Sequence, residues 1–159
     1  MTDEVGQNGA GEHLNSGTGE NANLRSPVQL LYCSKRDFRM PFMFENLEVY
    51  QKAVDLAEKV INLTDEFPKG YYFLTDQLNR ASLSIATNIA EGNGRFTKGD
   101  RRNFFIIARG SAQECVPLLE IAKRKQFISD VKLSDLLNQL ETISKMISGL
   151  INGLERRRI

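Results

Sequence analysis

The stretch VKLSDLLNQLETISKMISGLINGLER, residues 131–156, decides the fold. Leu133, Leu136, Leu140, Ile143, Ile147, Leu150 and Leu154 recur there at alternating steps of three and four. At about 100° per residue this spacing draws one apolar stripe along a helix. Leu137 and Ile151 widen the stripe, Gly149 and Gly153 weaken it, and Ser129 or Asp130 offers an N-cap. A half-buried strand would alternate with period two, and nothing here does. A helix this long and this one-sided needs other helices to cover its stripe.

Three more helices precede it. The third is expected from about Lys98 to Gln126, with Thr97 as cap and Asp100 at the capping-box position. Its stripe is Phe104, Ala108, Ser111, Cys115, Leu119 and Ala122. Pro117 falls inside it and removes one backbone bond, so a bend or a break is expected there. The second helix is expected from about Asp76 to Glu91, capped by Thr75 and stopped by Gly92-Asn93-Gly94. Leu78, Ala81, Ile85 and Ile89 form its apolar line, and its small residues allow close neighbours.

The first is expected from about Leu47 to Glu66, with Asn46 as cap and Pro68 and Gly70 at its end. It carries two stripes, Leu47-Tyr50-Val54-Ala57-Ile61 and Val49-Ala53-Leu56-Val60-Leu63-Phe67. Together they cover about half the helix surface. That width suits two neighbours in the same chain, or one neighbour plus another subunit. Four amphipathic helices joined by short links give an all-α fold, an antiparallel up-down-up-down four-helix bundle over residues 43–159.

Residues 1–42 read differently. The start is rich in Gly, Asn, Glu, Thr and Ser, with neither a basic leader nor an apolar one, so no secretory signal is expected. It is expected to be a disordered or loosely attached N-terminal tail, because it cannot bury enough apolar surface to offset its ordering entropy. Leu30-Leu31-Tyr32 is a short apolar patch within it, and translation starting at Met40 or Met43 is an alternative. No run approaches the length of a membrane span, and a cytoplasmic location is expected.

Composition narrows the chemistry. The 159 residues hold one histidine, His13, two cysteines, Cys33 and Cys115, and no tryptophan. The bundle region thus has no imidazole for a Ser-His-Asp or Cys-His nucleophile, and no His–Cys cluster for zinc. No cofactor is expected. Two distant cysteines make no disulfide framework.

The 21 Lys and Arg against 20 Asp and Glu give a net +1, but the charges are segregated. Residues 44–67 are acidic. In an up-down bundle Arg95, Lys98, Arg101 and Arg102 share one end with Arg156, Arg157 and Arg158, and Lys123, Arg124 and Lys125 lie at the other. The first group is the candidate for contacting a phosphate backbone. Aromatic residues are sparse around it, which argues against sequence-specific stacking there.

The most distinctive stretch is Ser84-Ile85-Ala86-Thr87-Asn88-Ile89-Ala90-Glu91-Gly92-Asn93-Gly94-Arg95. Glu91 stands near a helix C-terminus, where the macrodipole disfavours an anion, so Arg80, Arg95 or Arg109 should compensate. Asn88 is expected to hydrogen-bond across the bundle. Gly110 is expected at a close helix crossing, and Glu114 is expected partly buried beside an arginine. A Glu91/Glu114 acid–base pair is the one conceivable catalytic arrangement.

The blocks Phe44-Glu45-Asn46-Leu47-Glu48-Val49-Tyr50-Gln51-Lys52-Ala53, Phe67-Pro68, Gln77-Leu78, Arg80-Ala81, Ser84-Ile85, Asn88-Ile89-Ala90-Glu91-Gly92, Gly94-Arg95 and Ala108-Arg109-Gly110-Ser111 with Glu114 resemble the 23S rRNA intervening-sequence protein family. The likeness runs from about residue 43 to about 155. The family often has tryptophan where Tyr50 stands, lacks the long tail, and is not expected to carry a proline at Pro117. The resemblance implies a four-helix bundle assembled as a ring, usually a homopentamer, without enzymatic activity. It also implies that Arg80, Asn88, Glu91, Gly92, Gly94, Gly110, Ser111 and Glu114 are structural. A similar bundle is the accessory protein of diversity-generating retroelements, where a basic pentamer binds nucleic acid and the reverse transcriptase. The expected partners are therefore further copies of the chain, RNA or DNA, or a nucleoprotein. The alternatives are a protein–protein scaffold and, more distantly, a carboxylate-dependent enzyme.

Overall fold

The chain divides into two units, Met1–Phe38 and Arg39–Ile159. The structure, a computed structural model, describes residues 42–156, all in the second unit. The expectations for residues 1–41 and for Arg157 and Arg158 lie outside the described residues.

A 3-10 turn, Met43–Asn46, leads into four helices: α1 (Glu48–Asp65), α2 (Tyr72–Gly94), α3 (Lys98–Arg124) and α4 (Asp130–Arg156). Among the described residues there is no strand. Each helix packs on its sequence neighbours, α1 also packs on α4, and the diagonal pairs do not pack. Cross-helix bonds fix the directions. Arg102 of α3 reaches Glu155 of α4 at 3.0 Å, and Lys123 reaches Asp130 at 2.7 Å, so the two helices run antiparallel. The Thr64–Asn79 bond at 2.9 Å does the same for α1 and α2. The fold is an up-down-up-down bundle.

The core follows the stripes. Val49, Ala53, Leu56, Val60 and Leu63 of α1 meet Leu74, Leu78, Ala81, Ile85 and Ile89 of α2. Phe105, Ala108, Cys115, Leu119 and Ala122 of α3 and Leu136, Leu140, Ile143, Ile147 and Ile151 of α4 complete it, so that Phe105, not the Phe104 of the expected stripe, enters the core. Each fully buried Leu or Ile contributes roughly 1.5–3 kcal/mol from its area alone.

The helix ends depart from several expectations. Leu47, not Asn46, holds the cap position of α1, with no side-chain cap. Asn46 belongs to the 3-10 turn, which Gln51 ties down by donating to the Glu45 carbonyl at 2.7 Å. α2 begins at Tyr72, so Thr75 lies inside its first turn. Gly70 turns the chain in the left-handed region (φ +99°), and the helix starts as soon as Leu74 can enter the core. α2 stops within Gly92-Asn93-Gly94 but only at Gly94, three residues past the expected end at Glu91. Buried Gly92 packs on Phe104 and Phe105, and this contact outweighs its poor propensity.

Thr97 caps α3 as expected. Its hydroxyl accepts from the Asp100 N–H at 3.0 Å and donates to the Asp100 carboxylate at 2.7 Å. Pro117 does not break α3. It sits on the exposed side of the helix, as does Gln113, whose carbonyl loses its donor. α3 stops at Arg124, two residues short of the expected end, because Gln126 adopts φ +63°. The Gln126 N–H then bonds the Lys123 carbonyl at 2.8 Å and the Phe127 N–H bonds the Ala122 carbonyl at 3.0 Å. This is a Schellman cap built without glycine. Ser129 accepts from the Lys132 N–H at 3.2 Å and starts α4.

α1 and α4 form the least packed seam. A groove of about 650 Å³ runs between them, lined by Lys52, Asp55, Asn62, Asn138 and Thr142 among others. Exposed ion pairs bridge the seam, Lys59–Asp135 at 3.8 Å and Lys132–Glu66 at 3.1 Å. Pairs of this kind contribute at most about 1 kcal/mol each.

Candidate interaction surfaces

The bundle brings the N-terminus of α3 and the C-termini of α2 and α4 to one end. Arg95, Lys98, Arg101, Arg102 and Arg156 meet there. Arg95 is ion-paired with Glu91, one turn earlier in α2, and its guanidinium lies 4.6 Å from the centre of the Phe104 ring. Arg101 donates to the Asn93 side chain at 3.2 Å, while its buried Nε has no partner. Arg102 is held by Glu155 at 3.0 Å. Lys98 and Arg156 are exposed. Acids share this end, namely Glu45, Glu48, Glu91, Asp100 and Glu155. A phosphate approaching Arg95 or Arg102 therefore shares the guanidinium with a carboxylate. The Glu91–Arg95 pair is legible from its i,i+4 spacing. Glu155, Asn93 and Phe104 are not legible as partners in the sequence, because each comes from another turn or another helix.

The distinctive motif forms a polar seam between α2 and α3. The Ser84 and Ser111 hydroxyls are 2.8 Å apart, and Ser111 also donates to the Ile107 carbonyl at 3.1 Å. Asn88 does not reach across the bundle. It donates within α2, to the Ser84 carbonyl at 2.7 Å and the Ser84 hydroxyl at 3.0 Å, so the crossing is made through Ser84. Exposed Glu114 accepts from Gln77 rather than pairing with an arginine. Arg80 stands 3.9 Å from Asp76, both well exposed. Arg109 donates to Ser148 of α4 at 3.5 Å. Gly110 marks no crossing among the described residues, since a Cβ there would meet nothing within 4 Å, and Gly94 is equally open.

Glu91 and Glu114 do not form an acid–base pair. The last turn of α2 packs on Phe105, and Glu114 lies nine residues further along α3, roughly 13 Å of helix rise. Cys115 is fully buried, and its thiol is pushed up from 9.0 to about 12, first by burial and then by the charge of Glu114. A thiol held neutral in this way is a packing residue, not a nucleophile. Among the described residues no cluster of His, Cys, Asp or Glu could hold a metal ion.

An apolar groove of about 410 Å³ opens between α1 and α2. Tyr50, Val54, Ala57 and Ile61 line one wall, and Leu83, Ala86 and Ala90 the other. Val54 is 39% exposed and Leu83 45%. Of the two stripes on α1, one enters the core and the other lines this open groove. A second, more polar cleft of about 370 Å³ on the other side of Leu83 is lined by Gln77, Arg80, Ser84, Thr87 and Glu114.

These features define an antiparallel four-helix bundle whose distinctive residues sit on open grooves and helix seams. Within that class the chain belongs to the 23S rRNA-intervening sequence protein family, whose sequence model matches residues 45–149. It is also similar to a solved protein of unknown function from the S23 ribosomal protein family of Bacteroides thetaiotaomicron VPI-5482. Identity is 25% and the TM-score 0.61, over 65% of this chain and 97% of that one. No curated protein matches the chain. No helix among the described residues is long and apolar enough to cross a membrane.

Proposed function

We propose that this protein is a non-enzymatic bundle that assembles with copies of itself into a ring, a homopentamer by family resemblance. In the cytoplasm it binds RNA or DNA, or a nucleoprotein, through Arg95, Lys98, Arg101, Arg102 and Arg156–Arg158. The observation that carries this reading is the open apolar groove between α1 and α2, with Val54 and Leu83 left uncovered. An open apolar groove of this kind offers a partner's side chains a place to pack, which supports the reading. Ring closure would repeat the basic end once per subunit and so raise its local charge. Light scattering should give a mass several times that of one chain, and Val54→Glu with Leu83→Glu should lower it without loss of helicity. A wild-type monomer at all concentrations overturns the ring.

Binding to structured RNA, measured at two salt concentrations, tests the other half. Affinity should fall with salt by roughly 0.7–0.9 log units per log unit for each phosphate neutralised. No binding at low salt overturns it. The protein–protein scaffold is favoured instead by one observation, that Arg95 and Arg102 already have carboxylate partners. It predicts assembly without any nucleic-acid affinity.

A further inference from the structure

We propose that the opposite end of the bundle, where the α1–α2 and α3–α4 connections meet, is a stacking surface for unpaired nucleic acid. The proposal depends neither on ring formation nor on the Arg95–Arg158 set. Five aromatic residues gather at this end. Phe67 and Phe127 lie 5.3 Å apart, Tyr71 meets Phe127 edge-on at 4.7 Å, and Phe73 lies 6.1 Å from Tyr71. Leu74 and Ile128, both buried, anchor the cluster from behind. In front of this support Tyr72 and Phe73 are 71% and 69% exposed. The core does not use these two rings.

Cations frame them. The Lys125 ammonium sits 5.9 Å from the centre of the Tyr71 ring. Lys69 and Arg124 are exposed and have no hydrogen-bond or ion-pair partner among the described residues. Lys123 and Lys132 at this end are already paired with Asp130 and Glu66. The acids here that lie outside ion pairs are Asp65 and Glu120.

Exposed rings on a supported platform, with unpaired cationic side chains at the same end of the bundle, are the elements that take base faces and phosphates from a single strand. Tyr72 and Phe73 are consecutive on a helix, so their side chains diverge by about 100°. Splayed bases can meet two such rings, whereas a duplex keeps its base faces stacked inside.

The test is an anisotropy titration of the full chain with a labelled, unstructured single strand of about 12 nucleotides, and with the same strand annealed to its complement. The single strand should bind more tightly. Tyr72→Ala and Phe73→Ala should each weaken it by about 5- to 100-fold, with helicity unchanged because both rings are exposed. The chain has four tyrosines and no tryptophan, so stacking should also quench tyrosine emission, and Tyr72→Phe should reduce that quench. Replacing Lys69, Arg124 and Lys125 by Ala should lower the salt slope by about 0.7 for each phosphate no longer neutralised.

Tighter binding of the duplex, or undiminished binding by the Tyr72→Ala/Phe73→Ala protein, overturns the proposal. If that protein keeps its affinity while Arg102→Ala/Arg156→Ala loses it, the strand binds at the other end, and only the earlier reading survives. Loss of vesicle or protein binding in the aromatic variants, with strand binding intact, would assign this surface to that partner and also overturn the proposal.

Discussion

Replacing Gly92 by alanine tests how α2 and α3 approach each other. An added Cβ would lie 2.8 Å from Phe105 Cε1 and 3.0 Å from Phe104 Cβ. Phe105 is 2% exposed and cannot swing into solvent, and a Cβ is not a flexible end. Overpacking of this kind costs about 1–3 kcal/mol. Against it stands the helical gain of Ala over Gly, up to about 1 kcal/mol and smaller in a last turn. The net expectation is a loss of about 0.5–2 kcal/mol. Gly110→Ala supplies the control. It is also helical, yet its Cβ would meet nothing within 4 Å, so a gain of about 0.5–1 kcal/mol is expected. Urea unfolding of the two variants and the wild type measures both, and a constant m-value would show that only the native state has changed. The difference between the two isolates the packing term. If Gly92→Ala matches or exceeds the wild type, the packing account of the α2–α3 contact is wrong.

Gln126→Gly should stabilise the protein by about 0.5–1 kcal/mol, since a left-handed residue with a Cβ carries a penalty that glycine lacks; Gln126→Ala in the same denaturation series should give no such gain. Cys115 should resist a thiol reagent at about pH 8, just below the ordinary thiol pKa, until the protein unfolds, and prompt labelling of native protein would contradict its burial. Its folded-state pKa is raised, so its contribution to stability is full below about pH 9 and lost as pH rises towards about 12. Cys115→Ala should accordingly show a shallower loss of stability across that window. A double-mutant cycle on Arg102 and Glu155 should return a coupling below about 1 kcal/mol, as expected of an exposed pair. A value several times larger would mean that this pair locks the bundle end.

The fold was largely legible because its signal is repetitive. One stripe of α1, Val49 to Leu63, and the middle of the α4 stripe, Leu136 to Ile147, name residues that the core contains. Helix ends were less legible, since they are decided by single contacts. Thr97 and Ser129 could be read because a cap needs only local residues. The continuation of α2 past Gly92 could not, because it depends on Phe104 and Phe105 across a helix seam. Gly110 misled for the converse reason. A helical glycine suggests a crossing, but only the packed bundle shows that its surroundings are open. Counting helices was enough to bring Arg95, Lys98, Arg101, Arg102 and Arg156 to one end. Its internal pairing with Glu155 and Asn93 required the three-dimensional register, and the aromatic loop end emerged only when Phe67, Tyr71 and Phe127 came together.

An even number of antiparallel helices gives the bundle two unequal poles. The chain enters the described region at Phe42 and leaves it after Arg156 at the same pole, and only the two connections cap the other. A group attached directly at Phe42 or Arg156 would start from the arginine pole, the opposite end from Tyr72 and Phe73. In a side-by-side assembly, every subunit's Phe42 and Arg156 would be gathered on one rim, and its α1–α2 and α3–α4 connections on the other.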